Sequence, residues 1–491
     1  VIKKVEYRQK LNVRLNKEEY KYDVFQMINL YLPFCHVEFS EQSFENNTDT
    51  DINIDIDDEK IEIESMGKMY AYIVDKRFTL KEEVKKAVFK YFSKETNKYM
   101  PWGTLIGIRP SKRAMKLLVD GKSHEEIIQH FKDVALTSEE KAKLCIEVAK
   151  REMKYIHPQQ KKVSLYIGMA FCPTRCLYCS FAANPIAGFK HEIIEAYVDC
   201  LCREIGSMAS YITQHNLQIH TVYFGGGTPT SVDELLFERV MKCIHHNLLK
   251  DHSVSEFTVE CGRPDSISGE KLSTMKKYGV SRISINPQSM NDDTLKLIGR
   301  NHTSEQIKHV FKMARQMEFN DINMDIIVGL PGEKLHHIEK TLECIKSFKP
   351  DSFTVHGLSV KRASRLYDNI INDVKYEIAS QDELNKMFIS TAKCAKEMNM
   401  KPYYMYRQKN MVGNMENIGY SIHGKESVYN IEMMEDRETI IAIGADAVTK
   451  VVNLSNDKIE RFGNVKDVKL YIDRIEEMIE KKIQLLDTIY S

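Results

Sequence analysis

Three cysteines fall together in this chain as Cys172-Pro173-Thr174-Arg175-Cys176-Leu177-Tyr178-Cys179, directly after an apolar, strand-like segment. Three thiolates at C-x₃-C-x₂-C spacing on a loop leaving a strand can ligate three corners of a cubane cluster, because thiolates are the usual protein ligands of 4Fe-4S iron. The fourth iron then lacks a protein ligand, and an open position of that kind lets a cluster bind a small molecule rather than only pass electrons. Taken alone, the run also fits a three-thiolate zinc site or three unrelated core cysteines. One strand further on the chain reads Tyr223-Phe224-Gly225-Gly226-Gly227-Thr228-Pro229-Thr230. Consecutive glycines let backbone amides approach a ligand, and the proline fixes the turn into the next helix. A glycine run by itself more often marks a tight turn. Paired with the cysteine loop, on the same end of a parallel sheet, it points to a ligand site.

The elements that must hold these loops are legible as a repeat. Short apolar segments at 165–170, 221–224, 256–260, 282–286, 323–328 and 353–358 are each followed by a helical pattern. Ser231 with Glu234 and Ser380 with Glu383 read as capping boxes that start helices. Consecutive strand-helix units predict an α/β fold, a parallel sheet covered by helices, here a partial (β/α)6 barrel with a wide mouth. Before it, 5–15 and 51–63 alternate apolar and polar residues like half-buried strands, and 81–93 reads as a helix. The stretch 101–110, with the only tryptophan, Trp102, reads as a packed turn. Past Tyr376, Leu384, Met387, Phe388, Thr391, Ala395 and Met398 share one helical face, 402–406 reads as a tyrosine-rich edge strand, and 465–486 as a helix with a solvated charged face over an apolar stripe. The expected division is an N-terminal α+β domain of unassigned role over 1–158, the barrel over 159–376 and a C-terminal α/β extension over 377–491, the first boundary lying near the polar stretch 157–162.

Composition narrows the function further. Lys and Arg number 70 against 70 Asp and Glu, so no global field draws in nucleic acid or an anionic membrane. Any anionic ligand must be held by local charges. With 43% hydrophobic and 29% charged residues in 491, the chain has ordinary globular composition. No run of about 18 apolar residues predicts a membrane span, and the first residues turn charged before a signal-peptide core could form. A cytoplasmic protein is expected. Eleven cysteines are too few for a disulfide scaffold of this length and odd in number. Cys35, Cys145, Cys200, Cys202, Cys243, Cys261, Cys344 and Cys394 show no second cluster spacing, and His245 and His246 read as helix-surface residues.

At the two motifs the chain resembles the radical S-adenosylmethionine (SAM) enzymes, over about 162–332. Within them it is similar to the oxygen-independent coproporphyrinogen III oxidases and their heme-chaperone relatives, and most resembles the HemZ-type coproporphyrinogen dehydrogenases. That likeness extends through the N-terminal region and the segment 402–419. The resemblance implies a 4Fe-4S cluster on Cys172, Cys176 and Cys179 and SAM at its open iron, where one electron cleaves SAM to a 5′-deoxyadenosyl radical. It further implies that Tyr178 lies near the adenine, that Gly226, Gly227 and Thr228 meet the SAM amino group, and that Glu260 contacts SAM. Gln288, Arg300 and Asp325 would line the same pocket, the arginine suited to the SAM carboxylate, with Tyr166 counted among the cofactor residues. The implied activity is oxidative decarboxylation of coproporphyrinogen III to protoporphyrinogen IX in heme biosynthesis, with a tetrapyrrole substrate and a one-electron donor such as flavodoxin or ferredoxin.

The chain departs from the family pattern in two places. The family's Tyr-Ile-His-Ile-Pro before the first cysteine reads Tyr166-Ile167-Gly168-Met169-Ala170, and the oxidases' further cysteine two residues after the third is Phe181, as in the chaperone-like branch. Heme binding or transfer, or radical chemistry on another tetrapyrrole such as heme, are therefore the alternatives. Lys361, Arg362, Arg365, Arg407 and Lys409 are candidate clamps for substrate carboxylates.

Overall fold

The computed structural model describes residues 10–33, 35–40, 51–107, 109–181, 184–372, 374, 376–408 and 411–491. Residues 5–9 of the first expected strand and Lys409 lie outside them. Near the N-terminus, β1 (Lys10–Leu15), β2 (His36–Ser40), β3 (Ile52–Ile56), β4 (Lys60–Ser65) and β5 (Lys68–Ile73) form a sheet in the order β2-β1-β3-β4-β5, packed with α1 (Lys21–Tyr31) and α2 (Leu80–Thr96). The alternating segment 51–63 is a hairpin rather than one strand. Its turn is closed where Glu59 N–H donates to the Asp57 carboxylate at 2.9 Å. Alternation survives the turn because Ile54 faces Ile63 and Ile56 faces Ile61 across it, so the apolar residues stay on one side.

Three helices follow, α3 (Pro110–Val119), α4 (His124–Ala135) and α5 (Glu139–Glu152). The turn before them is packed: Trp102 is fully buried and its indole N–H donates to the Glu416 carboxylate at 2.7 Å. Lys141 from α5 pairs with the same carboxylate at 2.6 Å.

The central sheet starts with β6 (Lys162–Met169), which leads into the short pair β7 (Phe171–Cys172) and β8 (Asn184–Pro185) and then α6 (His191–Gln214). β9 (Gln218–Gly226), β10 (Glu256–Glu260), β11 (Arg282–Ser284), β12 (Ile322–Val328) and β13 (Ser352–Gly357) follow, each paired in parallel with its predecessor. The intervening helices are α7 (Glu234–Ile244), α8 (Gly269–Lys277), α9 (Asp292–Leu297), α10 (Ser304–Gln316) and α11 (Leu335–Phe348). Their apolar faces and the sheet share one continuous core, and the near-continuous burial of these strands is that of a covered parallel sheet.

The tail changes the expected architecture. After α12 (Arg365–Ile371) and α13 (Gln381–Glu397), β14 (Lys401–Tyr406) and β15 (Asn417–Ser421) add antiparallel strands beyond β13. α14 (Val428–Glu435) then leads to β16 (Thr439–Ile443), which pairs in parallel with β6 at the other edge, followed by antiparallel β17 (Val448–Asn453) and β18 (Lys458–Gly463). The sheet thus has eleven strands, with seven contiguous parallel ones instead of six. Residues beyond 376 do not stand apart; they pair the edge groups that six strands alone would leave open. The final helical stretch is two helices, α15 (Val468–Asp473) and α16 (Ile475–Tyr490), broken at Arg474, whose φ of −115° and ψ of 20° leave helical geometry. Its stripe is not wholly apolar either: Lys482 is buried against Glu204 of α6. No helix among the described residues is long and apolar enough to cross a membrane.

Candidate functional site

The C-terminal ends of the parallel strands open into a cavity of about 630 Å³, the place where ligands meet open α/β sheets. Cys172, Cys176, Cys179, Tyr166, Tyr178, Gly226, Gly227, Thr228, Glu260, Gln288, Arg300 and Asp325 all line it. These residues come from strands and loops spread over 160 positions, so the fold, not sequence proximity, assembles them.

The cysteine loop is fastened at several points. Leu177 N–H donates to Ile298 O at 2.9 Å, Thr174 Oγ1 to Gly299 O at 2.9 Å, and the Arg175 guanidinium to Ala363 O at 2.8 Å. Cys172 and Cys176 are buried and Cys179 half-buried. Thr228 Oγ1 donates to Cys172 Sγ at 3.5 Å and Arg263 Nη1 to Cys176 Sγ at 3.6 Å. Burial pushes the Cys172 thiol up to about 11 and raises Cys179 as well. As free thiols they hold their protons, and a metal that binds them must displace those protons.

The glycine run packs the end of β9 against this loop. Gly226 sits at φ +96°, where a Cβ would lie 2.7 Å from Met169 O. A Cβ on Gly227 would lie 2.4 Å from Phe171 O and 3.0 Å from Cys172 Sγ. The N–H groups of Gly227 and Thr228 donate to Met169 O and Phe171 O at 2.7 and 2.8 Å. These amides are therefore engaged within the protein, and the glycines are required for close approach of two backbone segments rather than for offering those N–H groups to a ligand.

A polar wall faces the cysteines. The Glu260 carboxylate accepts from Tyr223 Oη, Ser284 Oγ at 2.5 Å and Asn286 Nδ2 at 2.6 Å. Burial raises its pKa and the nearby Asp325 adds to the shift. Asp325 is held low: burial opposes its charge, but the hydrogen bond and charge of His356 outweigh it. Gln288 adopts a left-handed φ of 63° and bridges to Ile326, which turns the chain into the cavity. Gln288 Oε1 and Arg300 Nε are buried without a hydrogen-bond partner among the described residues, as expected of groups placed for a bound molecule. Six tyrosines complete the lining, with Tyr223 stacked on Tyr429 at 4.5 Å and 20°. Three thiols and two polar atoms unpartnered among the described residues form a donor set that fits an iron-sulfur cluster and a polar small molecule beside it.

Several lining residues escaped the sequence reading: Tyr223, Arg263, Asn286, His356, Tyr404 and Tyr429. Arg263, Asn286 and His356 sit at or just past strand ends and were open to nomination on that ground. Tyr429 comes from α14, and nothing local in the sequence announces it. Of the candidate clamps, Lys361 lines the cavity, its Nζ 5.8 Å from the Phe181 ring centroid. Arg362 lines a separate cavity of about 910 Å³, and Arg365 is exposed at the start of α12. Arg407 is not a clamp: its guanidinium donates to Leu105 O and Asn414 O and lies 4.7 Å from the Trp102 ring, so it joins the turn at 101–107 to the sheet edge.

Residues 166–345 match the Radical SAM superfamily model. The chain is 40% identical over 397 residues, 79% of its length and 78% of the relative's, to the oxygen-independent coproporphyrinogen-III oxidase-like protein HemZ of Bacillus subtilis. It is 30% identical to the heme chaperone HemW of the same organism, over 64% of this chain and 76% of that one. Among solved structures, the Escherichia coli coproporphyrinogen III oxidase HemN, a radical SAM enzyme, overlays with a TM-score of 0.51 at 19% identity, covering 67% of this chain and 72% of the other.

Proposed function

This chain belongs to the radical SAM superfamily, as an oxidoreductase-type enzyme akin to HemZ, and on that premise we propose that it converts coproporphyrinogen III to protoporphyrinogen IX by oxygen-independent oxidative decarboxylation. The observation that supports the reading most is the convergence of three thiols, Glu260, Gln288, Arg300 and Asp325 on one cavity. In this reading Cys172, Cys176 and Cys179 hold a 4Fe-4S cluster, and Tyr166, Tyr178, Gly226, Gly227, Thr228, Glu260, Gln288, Arg300 and Asp325 surround SAM. When bound, cluster and SAM supply one-electron cleavage of SAM and hydrogen-atom abstraction from the substrate. The protein's own residues bind, orient and shield. Arg263 donates to the Cys176 sulfur and offsets thiolate charge. Arg300 Nε is suited to the SAM carboxylate and Gln288 Oε1 to its amino group. The stacked Tyr223 and Tyr429 rings give a broad aromatic wall that excludes water beside a large macrocyclic substrate. Lys361 and His356 offer positive charge to propionates. A reducing cytoplasm, where such clusters persist, a flavodoxin or ferredoxin as electron donor, and a one-electron acceptor for the electron that the substrate radical releases with CO₂ complete the reading.

Heme binding or transfer is the second reading, and Phe181 favours it, since it stands two residues past Cys179 on the cavity lining with 67% of its surface exposed. The test is anaerobic incubation of the reconstituted protein with SAM, a reductant and coproporphyrinogen III, with products followed by mass spectrometry and Cys176→Ala as control. Loss of CO₂ from both reacting propionates with release of 5′-deoxyadenosine supports the decarboxylase. Release of 5′-deoxyadenosine with the porphyrinogen unchanged moves the assignment to heme, as cargo or as substrate.

A further inference from the structure

The opposite end of the central sheet holds a second group of metal-ligating side chains. His220 lies near the start of β9, Glu432 on α14 and Glu438 just ahead of β16, and one ligand atom from each lies within 4.8 Å of the other two. His220 Nδ1 is 2.9 Å from Glu438 Oε2, and the other Glu438 oxygen accepts from Ser164 Oγ. Glu432 differs from its neighbours. It is 2% exposed, and no hydrogen bond or ion pair reaches its carboxylate among the described residues. A carboxylate at so low an exposure without a protein partner is costly, and buried charges are ordinarily paired or bound to metal.

We propose that His220, Glu432 and Glu438 form a second metal site, for a first-row divalent cation with Zn²⁺ the simplest fit. One imidazole nitrogen and two carboxylate oxygens suit that ion at about 2.0–2.2 Å each, with a fourth position left for water. The charges facing the site are Lys162, whose Nζ is 3.9 Å from Glu438, Lys450, which pairs with Asp436 at 2.9 Å, and the Glu435 carboxyl. Five residues of β9 lie between His220 and Gly226, roughly 20 Å of extended chain from one to the other, so the site is distinct from the cysteine loop. An ion there ties β9 to α14 and β16, and α14 is the helix that carries Tyr429 to the large cavity.

The test uses the anaerobically reconstituted protein, its cysteine loop filled with iron so that zinc cannot lodge there. After incubation with Zn²⁺ and gel filtration, the wild-type chain should retain one zinc beyond its iron and melt at a higher temperature than the zinc-free protein. Glu432→Gln, nearly isosteric, should keep its iron and its fold yet retain no zinc and show no zinc-dependent rise, and His220→Gln should lose zinc likewise. Failure of the wild type to retain zinc, or equal retention by a folded Glu432→Gln protein, overturns the proposal.

Discussion

His356 Nε2 lies 3.6 Å from the Asp325 carboxylate, and both residues face the cavity that holds the three cysteines. Burial works against both charges, but each group's partner outweighs it, so Asp325 is held below its ordinary value and His356 above 6.5. The Asp325 contribution is complete above its ordinary pKa and disappears as pH falls through the lowered one. The His356 contribution is complete below the ordinary imidazole value and disappears as pH rises through the raised one. The ion pair is intact between those limits. SAM cleavage should therefore decline as pH rises through the raised His356 value, and His356→Gln should flatten that limb. Rates of 5′-deoxyadenosine formation across pH check this, and an alkaline limb unchanged by the substitution counts against it.

Gly227→Ala should abolish most activity while leaving the fold. The added Cβ meets Phe171 O at 2.4 Å and Cys172 Sγ at 3.0 Å, so the cysteine loop must move, and a displacement of about 1 Å at a reacting centre costs on the order of a hundredfold in rate. Overpacking should cost about 1–3 kcal/mol of stability. Single-turnover rate and chemical unfolding measure the two effects separately.

Lys361 and Arg407 should part company. Lys361→Ala removes a cation from the cavity and should raise KM for a carboxylate-bearing substrate about tenfold, about 1.4 kcal/mol of charge-assisted binding, with kcat little changed. Arg407→Ala should instead lower stability, because its contacts are with Leu105, Asn414 and Trp102. Steady-state kinetics and melting temperature for both variants decide the matter.

Lys482→Met should be among the more damaging substitutions on α16. Lys482 and Glu204 are both fully buried, and Glu204 also accepts from Gly444 N–H at 2.8 Å, Asn464 Nδ2 at 2.9 Å and Tyr471 Oη at 2.6 Å. Removing the cation leaves a buried carboxylate uncompensated, a loss of about 3–5 kcal/mol. The exposed Lys481, paired with Glu477, should tolerate the same change within about 0.5 kcal/mol. Denaturant unfolding of the two variants provides the comparison.

The parallel strands were readable from sequence because each is a short apolar run whose C-terminal end carries a polar or glycine-rich turn, as at Phe224 to Thr228 or Val259 to Gly262. The seventh, Thr439–Ile443, is just as apolar, but it pairs with β6 across more than 270 residues, and no local pattern states that partnership. The hairpin within 51–63 was hidden for the opposite reason: its turn keeps the alternation in phase. At the site, spacing and resemblance named the residues that line the cavity at strand ends. They missed Tyr429 because α14 reaches the cavity only through tertiary packing, and they misassigned Arg407 because a charged residue in a tyrosine-rich segment looks the same whether it faces a ligand or a neighbouring turn.

In the proposed function, radical chemistry begun at the cysteine loop acts on a propionate in this cavity. Coproporphyrinogen III deuterated at the propionate β-carbon tests it most directly, in an anaerobic turnover with SAM and reductant. Deuterium recovered in 5′-deoxyadenosine together with CO₂ and vinyl product is the predicted result. Unlabelled 5′-deoxyadenosine with intact substrate, from protein whose cluster is fully assembled, would contradict it.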